Sequence, residues 1–165
     1  MYYFTENQNG MERYTDELIS DFSNPVFQNG FKQYLSELDV KVENWDDLFR
    51  QINDDKDNLA FVRVNENKDI IGFILFQPIA FKSCFFEETY GFIREFWVAP
   101  KYRNKRHGSE LLKITEDYLC RQGIFSSILT TDTAVNFYLK NGYVKAPGCK
   151  AKNEIDVFVK RLKCG

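Results

Sequence analysis

Apolar residues recur at steps of three and four through the first third of the chain and then gather into short runs rich in Val, Ile and Phe. Helices are therefore expected early and strands later. Residues 2–5 predict a short edge strand. After Thr15, the positions Leu18, Ile19 and Phe22, then Val26, Phe27, Phe31, Tyr34, Leu35 and Leu38, predict two helices meeting near Pro25, with Asn24 as N-cap. Asn44 ahead of Trp45, Leu48, Phe49 and Ile52 predicts another short helix, and Asp46 and Asp47 suit its positive end. Residues 53–58 are an acidic turn that lacks the glycine and the closing glutamate of a calcium loop. Residues 59–64 and 70–76, joined by the polar 65–69, predict an antiparallel hairpin. Residues 81–90 read as a connection, and 91–98 as the main strand.

That strand opens the most informative stretch, FIREFWVAPKYRNKRHGSELL, in which Pro100 stops the aromatic run and a basic loop leads into a helical pattern. Leu111, Leu112, Thr115, Tyr118, Leu119 and Gln122 share one helix face, and Gly123 ends it as a left-handed cap. Residues 124–130 form the next strand, so helix and strands make a crossover joining a parallel pair, with the loop at the carboxyl end of the first strand. Residues 132–141 predict a last helix closed by Gly142. Residues 143–146 and 155–162 then pair around the loop 147–153.

The length of 165 residues with 44% apolar content suits one compact globular unit. A formal charge of -2 argues against a broad nucleic-acid surface and makes the basic loop a local feature. Cys84, Cys120, Cys149 and Cys164 form no C-x-x-C pair, so no metal or redox motif is indicated and four reduced thiols are expected. The first residues lack a signal-peptide pattern and no apolar run reaches about 18 residues, which makes the cytoplasm the default location. No prenylation box is read at the end of the chain.

A short loop feeding a helix start is a ready anion site, since the first amides of the helix are unpaired and carry partial positive charge. Four of the six residues from Lys101 to Arg106 are basic. The order of residues here resembles the acetyl-CoA-binding stretch of the GNAT N-acetyltransferase superfamily, whose signature R/Q-x-x-G-x-G/A follows a strand ending in V-x-P. Arg103, Arg106 and Gly108 occupy its marked positions, Arg106 replacing a glycine. Downstream, AVNFYLKNGY resembles the family's A-x-x-F-Y-x-x-x-G-F/Y helix and turn.

This resemblance implies an α/β fold, the GNAT acyl-CoA N-acyltransferase fold, with a mixed central sheet of about six or seven strands flanked by helices. It implies acetyl-CoA as cosubstrate, an amine as acceptor and no metal. The pantetheine arm is expected along Phe96, Trp97 and Val98, where strands splay. The backbone of Asn104, Lys105, Arg106, His107, Gly108 and Ser109 is expected to cradle the diphosphate, with Arg103 just before them also cofactor-binding. Tyr138 falls at the family's proton-donor position, with a core aromatic as the alternative. Glu95 is a candidate base for the acceptor ammonium, with a solvated or ion-paired carboxylate as the alternative. His107, the only histidine, reads as a neighbour of phosphate rather than a catalyst. Thr131 stands where many members contact the CoA arm through asparagine. Phe76, Phe81, Phe85, Phe86, Phe92 and Trp97 line a pocket or fill the core. The alternatives are a catalytically silent acyl-CoA-binding module and, least favoured, a basic-loop nucleic-acid binder. Whether copies pair through the last strands stays open.

Overall fold

The structure is a computed structural model describing residues 2–4 and 13–165. The chain divides into two compact units: Met1–Phe76 with Glu95–Leu112, and Gln77–Arg94 with Lys113–Gly165.

In the first unit the strands run in the order β1-β2-β3-β4-β5. β1 (Tyr2–Phe4) pairs antiparallel with β2 (Tyr14–Ile19), and β2 with β3 (Leu59–Asn65). β2 corrects the sequence reading, which expects a helix from Thr15 to Phe22. Its buried Asp16 sits opposite Arg63 of β3, a pairing across 47 residues that outweighs the local helical spacing. The predicted helix starts are found. Asn24 Oδ1 accepts from the Val26 and Phe27 amides at 3.0 and 3.1 Å, and Pro25 opens α1 (Pro25–Glu37). Asn44 caps α2 (Trp45–Asp54) through the Asp47 amide. Both helices pack on the sheet through an aromatic cluster in which Phe27 touches Phe22, Phe31, Phe49 and Phe73.

β4 (Ile70–Lys82) and β5 (Glu87–Val98) are longer than predicted, and the expected connection 81–90 is a correction. Ser83 closes a tight turn, donating its amide to the Phe86 carbonyl at 2.8 Å and accepting at Oγ from the Phe85 and Phe86 amides. The Lys82–Glu87 ion pair and the edge-on Phe81 and Tyr90 rings carry the pairing outward along the strands.

In the second unit the order is β5-β6-β8-β7. β5 and β6 (Ser126–Thr130) are the parallel pair, in register at Gly91↔Ser127 and Phe92↔Ile128. α3 (His107–Arg121) joins them and ends at Gly123 with φ +77°. α4 (Val135–Lys140) is followed by Gly142 at φ +87°, then by the antiparallel β7 (Val144–Lys150) and β8 (Asp156–Arg161). The result is a mixed sheet with flanking helices and, among the described residues, eight strands where six or seven are expected. Cys120 and Cys164 form a disulfide, which corrects the reading of four reduced thiols; Cys84 and Cys149 are free and exposed.

Candidate active site

β5 ends at Val98, and Pro100–Tyr102 turns the chain in a single 3-10 turn toward α3. Gly72 of β4 lies against that strand end. A Cβ there would come 2.5 Å from the Trp97 carbonyl oxygen, so glycine is what permits the approach. Tyr102 anchors the turn from inside. Its ring is buried, its hydroxyl accepts from Asn65 Nδ2 at 3.1 Å, and the Lys101 and Lys105 ammonium groups lie 4.8 and 5.8 Å from its centre.

Beyond it, Asn104 (φ 61°) and Arg106 (φ 70°) are both left-handed, and Lys105 between them is not. Left-handed residues within a turn can aim successive N–H groups at one concavity, as in an anion nest. Arg103, Asn104, Lys105 and Arg106 are all exposed. α3 begins its ladder with the Glu110 amide donating to the Arg106 carbonyl at 3.0 Å, so the amides of Gly108 and Ser109 precede the first helical bond. An open turn with main-chain donors, a helix start and basic side chains fits a diphosphate.

Other assigned residues serve the turn differently. Arg103 donates from Nε to the Val98 carbonyl at 2.8 Å and from Nη2 to Glu37 Oε2 at 2.6 Å, while Glu37 Oε1 accepts from Trp97 Nε1 at 2.8 Å. These side chains clamp the strand end to α1. Burial acts to raise the Glu37 carboxyl, but the bonds from Arg103 and Trp97 and the Arg103 charge hold it below the ordinary 4.5. Phe96 and Val98 are half-buried, and buried Trp97 belongs to the core. The half-buried Glu95 accepts from Tyr34 Oη at 2.5 Å. His107 begins α3 with its side chain turned inward, Nδ1 3.1 Å from Arg63 Nη1. The His107 side chain is thus engaged in the interior.

In the second unit Tyr138 is buried, whereas its neighbour Phe137 is half-buried. The Tyr138 ring meets Phe137 and Tyr143 edge-on at 5.1 and 5.5 Å. Tyr143 donates to Ser127 Oγ at 2.8 Å, and burial, then the Glu116 charge, pushes its phenol well above the usual range. Thr131 Oγ1 accepts from the Ala134 amide at 3.0 Å and so caps the approach to α4. Of the aromatics, Phe76 and Trp97 are buried, whereas Phe81, Phe85 and Phe86 are exposed.

The profile of the acetyltransferase (GNAT) family matches residues 17–143. The chain belongs to the GNAT acetyltransferase family. The match runs from Glu17 within β2 to Tyr143, the second motif included. No curated protein matches. Among solved structures the GNAT fold recurs at low identity. The NatC complex bound to Gag peptide and CoA aligns with a TM-score of 0.66 at 19% identity, covering 93% of this chain and 100% of that one. A GNAT acetyltransferase from Staphylococcus aureus Mu50 aligns at 0.64 and 18%, covering 90% and 99%. The PaiA N-acetyltransferase of Thermoplasma acidophilum in complex with coenzyme A aligns at 0.57 and 16%, covering 88% and 98%. Among the described residues of this GNAT chain, no helix is long and apolar enough to cross a membrane.

Three contributors lie outside the GNAT motifs: Tyr34 on Glu95, Glu37 on Trp97 and Arg103, and Arg63 behind the start of α3. Arg63 alone left a trace in the sequence, a charge inside the apolar strand LAFVRVN. A buried charge requires a partner, and Asp16 supplies it.

Proposed function

We propose that this GNAT chain is an N-acetyltransferase that moves the acetyl group of acetyl-CoA directly to a primary amine of a small molecule or peptide. The observation that carries this reading is the exposed left-handed turn at Asn104 and Arg106 feeding the start of α3. The amides of residues 104–109 hold the diphosphate, with Lys101, Lys105 and Arg106 adding charge. Bound there, acetyl-CoA supplies an activated thioester. Main-chain amides of Phe96, Trp97 and Val98 hold the pantetheine arm and polarise the acyl oxygen. Glu95, oriented by Tyr34, takes the proton that an ammonium must lose before its nitrogen can attack. Tyr138 gives a proton to the departing sulfur. CoA bound to NatC and to PaiA, and a peptide bound to NatC, are in keeping with this cosubstrate and with peptide acceptors.

Calorimetry with CoA, followed by thiol release from acetyl-CoA across a panel of amines and peptide N-termini, tests the reading. Binding with amine-dependent release is expected, and Tyr138→Phe should lower kcat about 100-fold with CoA affinity unchanged. Failure to bind CoA at millimolar concentration refutes it. The burial of Tyr138 favours a second reading, a CoA-binding module without turnover. Tight binding with no release from any amine would establish that instead.

A further inference from the structure

We propose that Arg63 is a positioning residue for the diphosphate turn, holding the first turn of α3 through Glu110 and His107 and thereby setting the affinity for CoA. This rests on the CoA-binding reading above. Arg63 is 1% exposed and grips Asp16, itself fully buried, with two parallel bonds, Nε to Oδ1 at 2.7 Å and Nη2 to Oδ2 at 2.8 Å. The remaining nitrogen, Nη1, donates to Glu110 Oε2 at 2.6 Å and lies 3.1 Å from His107 Nδ1. Tyr14 closes the cluster. Its ring centre is 3.9 Å from the guanidinium carbon and its hydroxyl donates to the same Glu110 oxygen at 2.7 Å.

His107 and Glu110 stand three residues apart in the first turn of α3, and between them lie Gly108 and Ser109, whose amides precede the first helical bond. A guanidinium fixed to β2 and β3 therefore fixes the helix end that carries the anion donors. It has an electrostatic part as well. Glu110 places a carboxylate in the turn where a diphosphate binds, and Arg63 compensates that charge. Only a planar fork can satisfy both oxygens of Asp16 and still reach Glu110; an ammonium is a single point charge. The three groups thus act as one brace.

Two measurements on the full chain test this: the Kd for CoA by calorimetry, and amide hydrogen exchange over residues 108–110 without ligand. Arg63→Lys should raise the Kd about 10-fold, the size of a lost charged hydrogen bond. It should also speed exchange over 108–110 while leaving 115–120 unchanged, a local loosening that a general loss of stability does not produce. Tyr14→Phe keeps the ring over Arg63, removes one bond to Glu110, and should raise the Kd about 3-fold. A folded Arg63→Lys protein with wild-type Kd overturns the proposal. If that variant does not fold, an unchanged Kd in Tyr14→Phe overturns it. Wild-type protein that binds no CoA refutes the functional reading itself, and the brace with it.

Discussion

Arg106 occupies the glycine position of the GNAT signature with a φ of 70°, and replacing it with glycine should stabilise the protein. A left-handed backbone costs an L-residue about 1–2 kcal/mol, which glycine avoids. Glycine in turn gives the unfolded chain more freedom, worth about 0.4–1 kcal/mol against folding. The Arg106 side chain is exposed, so little packing is lost, and its carbonyl still accepts the Glu110 amide. The balance is a gain of about 0.5–1 kcal/mol, a rise in Tm of about 1–4 °C for a chain of this length. Lys105→Gly supplies the contrast. Lys105 is not left-handed, so no strain is relieved, and the entropic loss of about 0.4–1 kcal/mol adds to the loss of its ammonium from the Tyr102 ring. Urea denaturation at 25 °C with unchanged m-values should therefore place the two variants on opposite sides of wild type. Equal destabilisation by both would refute the claim that the turn is strained at Arg106.

Two further outcomes follow from the charges and the disulfide. Burial acts to raise the Glu110 carboxyl, but the bonds from Tyr14 and Arg63 and the Arg63 charge hold it below the ordinary 4.5. Its stabilising contribution is present above pH 4.5, where the unfolded carboxyl is also ionised, and is lost as pH falls through the lower folded value. Denaturation midpoints measured from pH 6 to pH 3 should fall less steeply for Glu110→Gln than for wild type. Native protein should show two reactive thiols, Cys84 and Cys149, and four after denaturing reduction; opening the Cys120–Cys164 bond across 44 residues should cost about 2–4 kcal/mol in thermal or urea melts.

The legible features were those written in local chemistry. Asn24 with Pro25, Asn44 with two aspartates, Gly123 and Gly142 each act on neighbours within a few residues, and each marks an element end in the structure. The same holds for the basic turn, whose strand, loop and helix follow one another in the chain. Sequence also told that Arg106 departs from glycine, though not that its backbone keeps the left-handed form.

What sequence order left undecided was everything set by partners far along the chain. The spacing of Leu18, Ile19 and Phe22 suits a helix, and it is the burial of Asp16 against Arg63 that makes the segment a strand. Arg103 opens the signature, and nothing near it in the chain tells that its guanidinium bonds Glu37, 66 residues away. His107 looked like a loop residue until Arg63 drew it inward. Cys120 and Cys164 meet only because α3 and the chain after β8 come together. A side chain's own type fixes what bonds it needs, but the tertiary fold alone chooses the partner that satisfies them, because a buried charge or donor must be paired wherever the packing brings a complement.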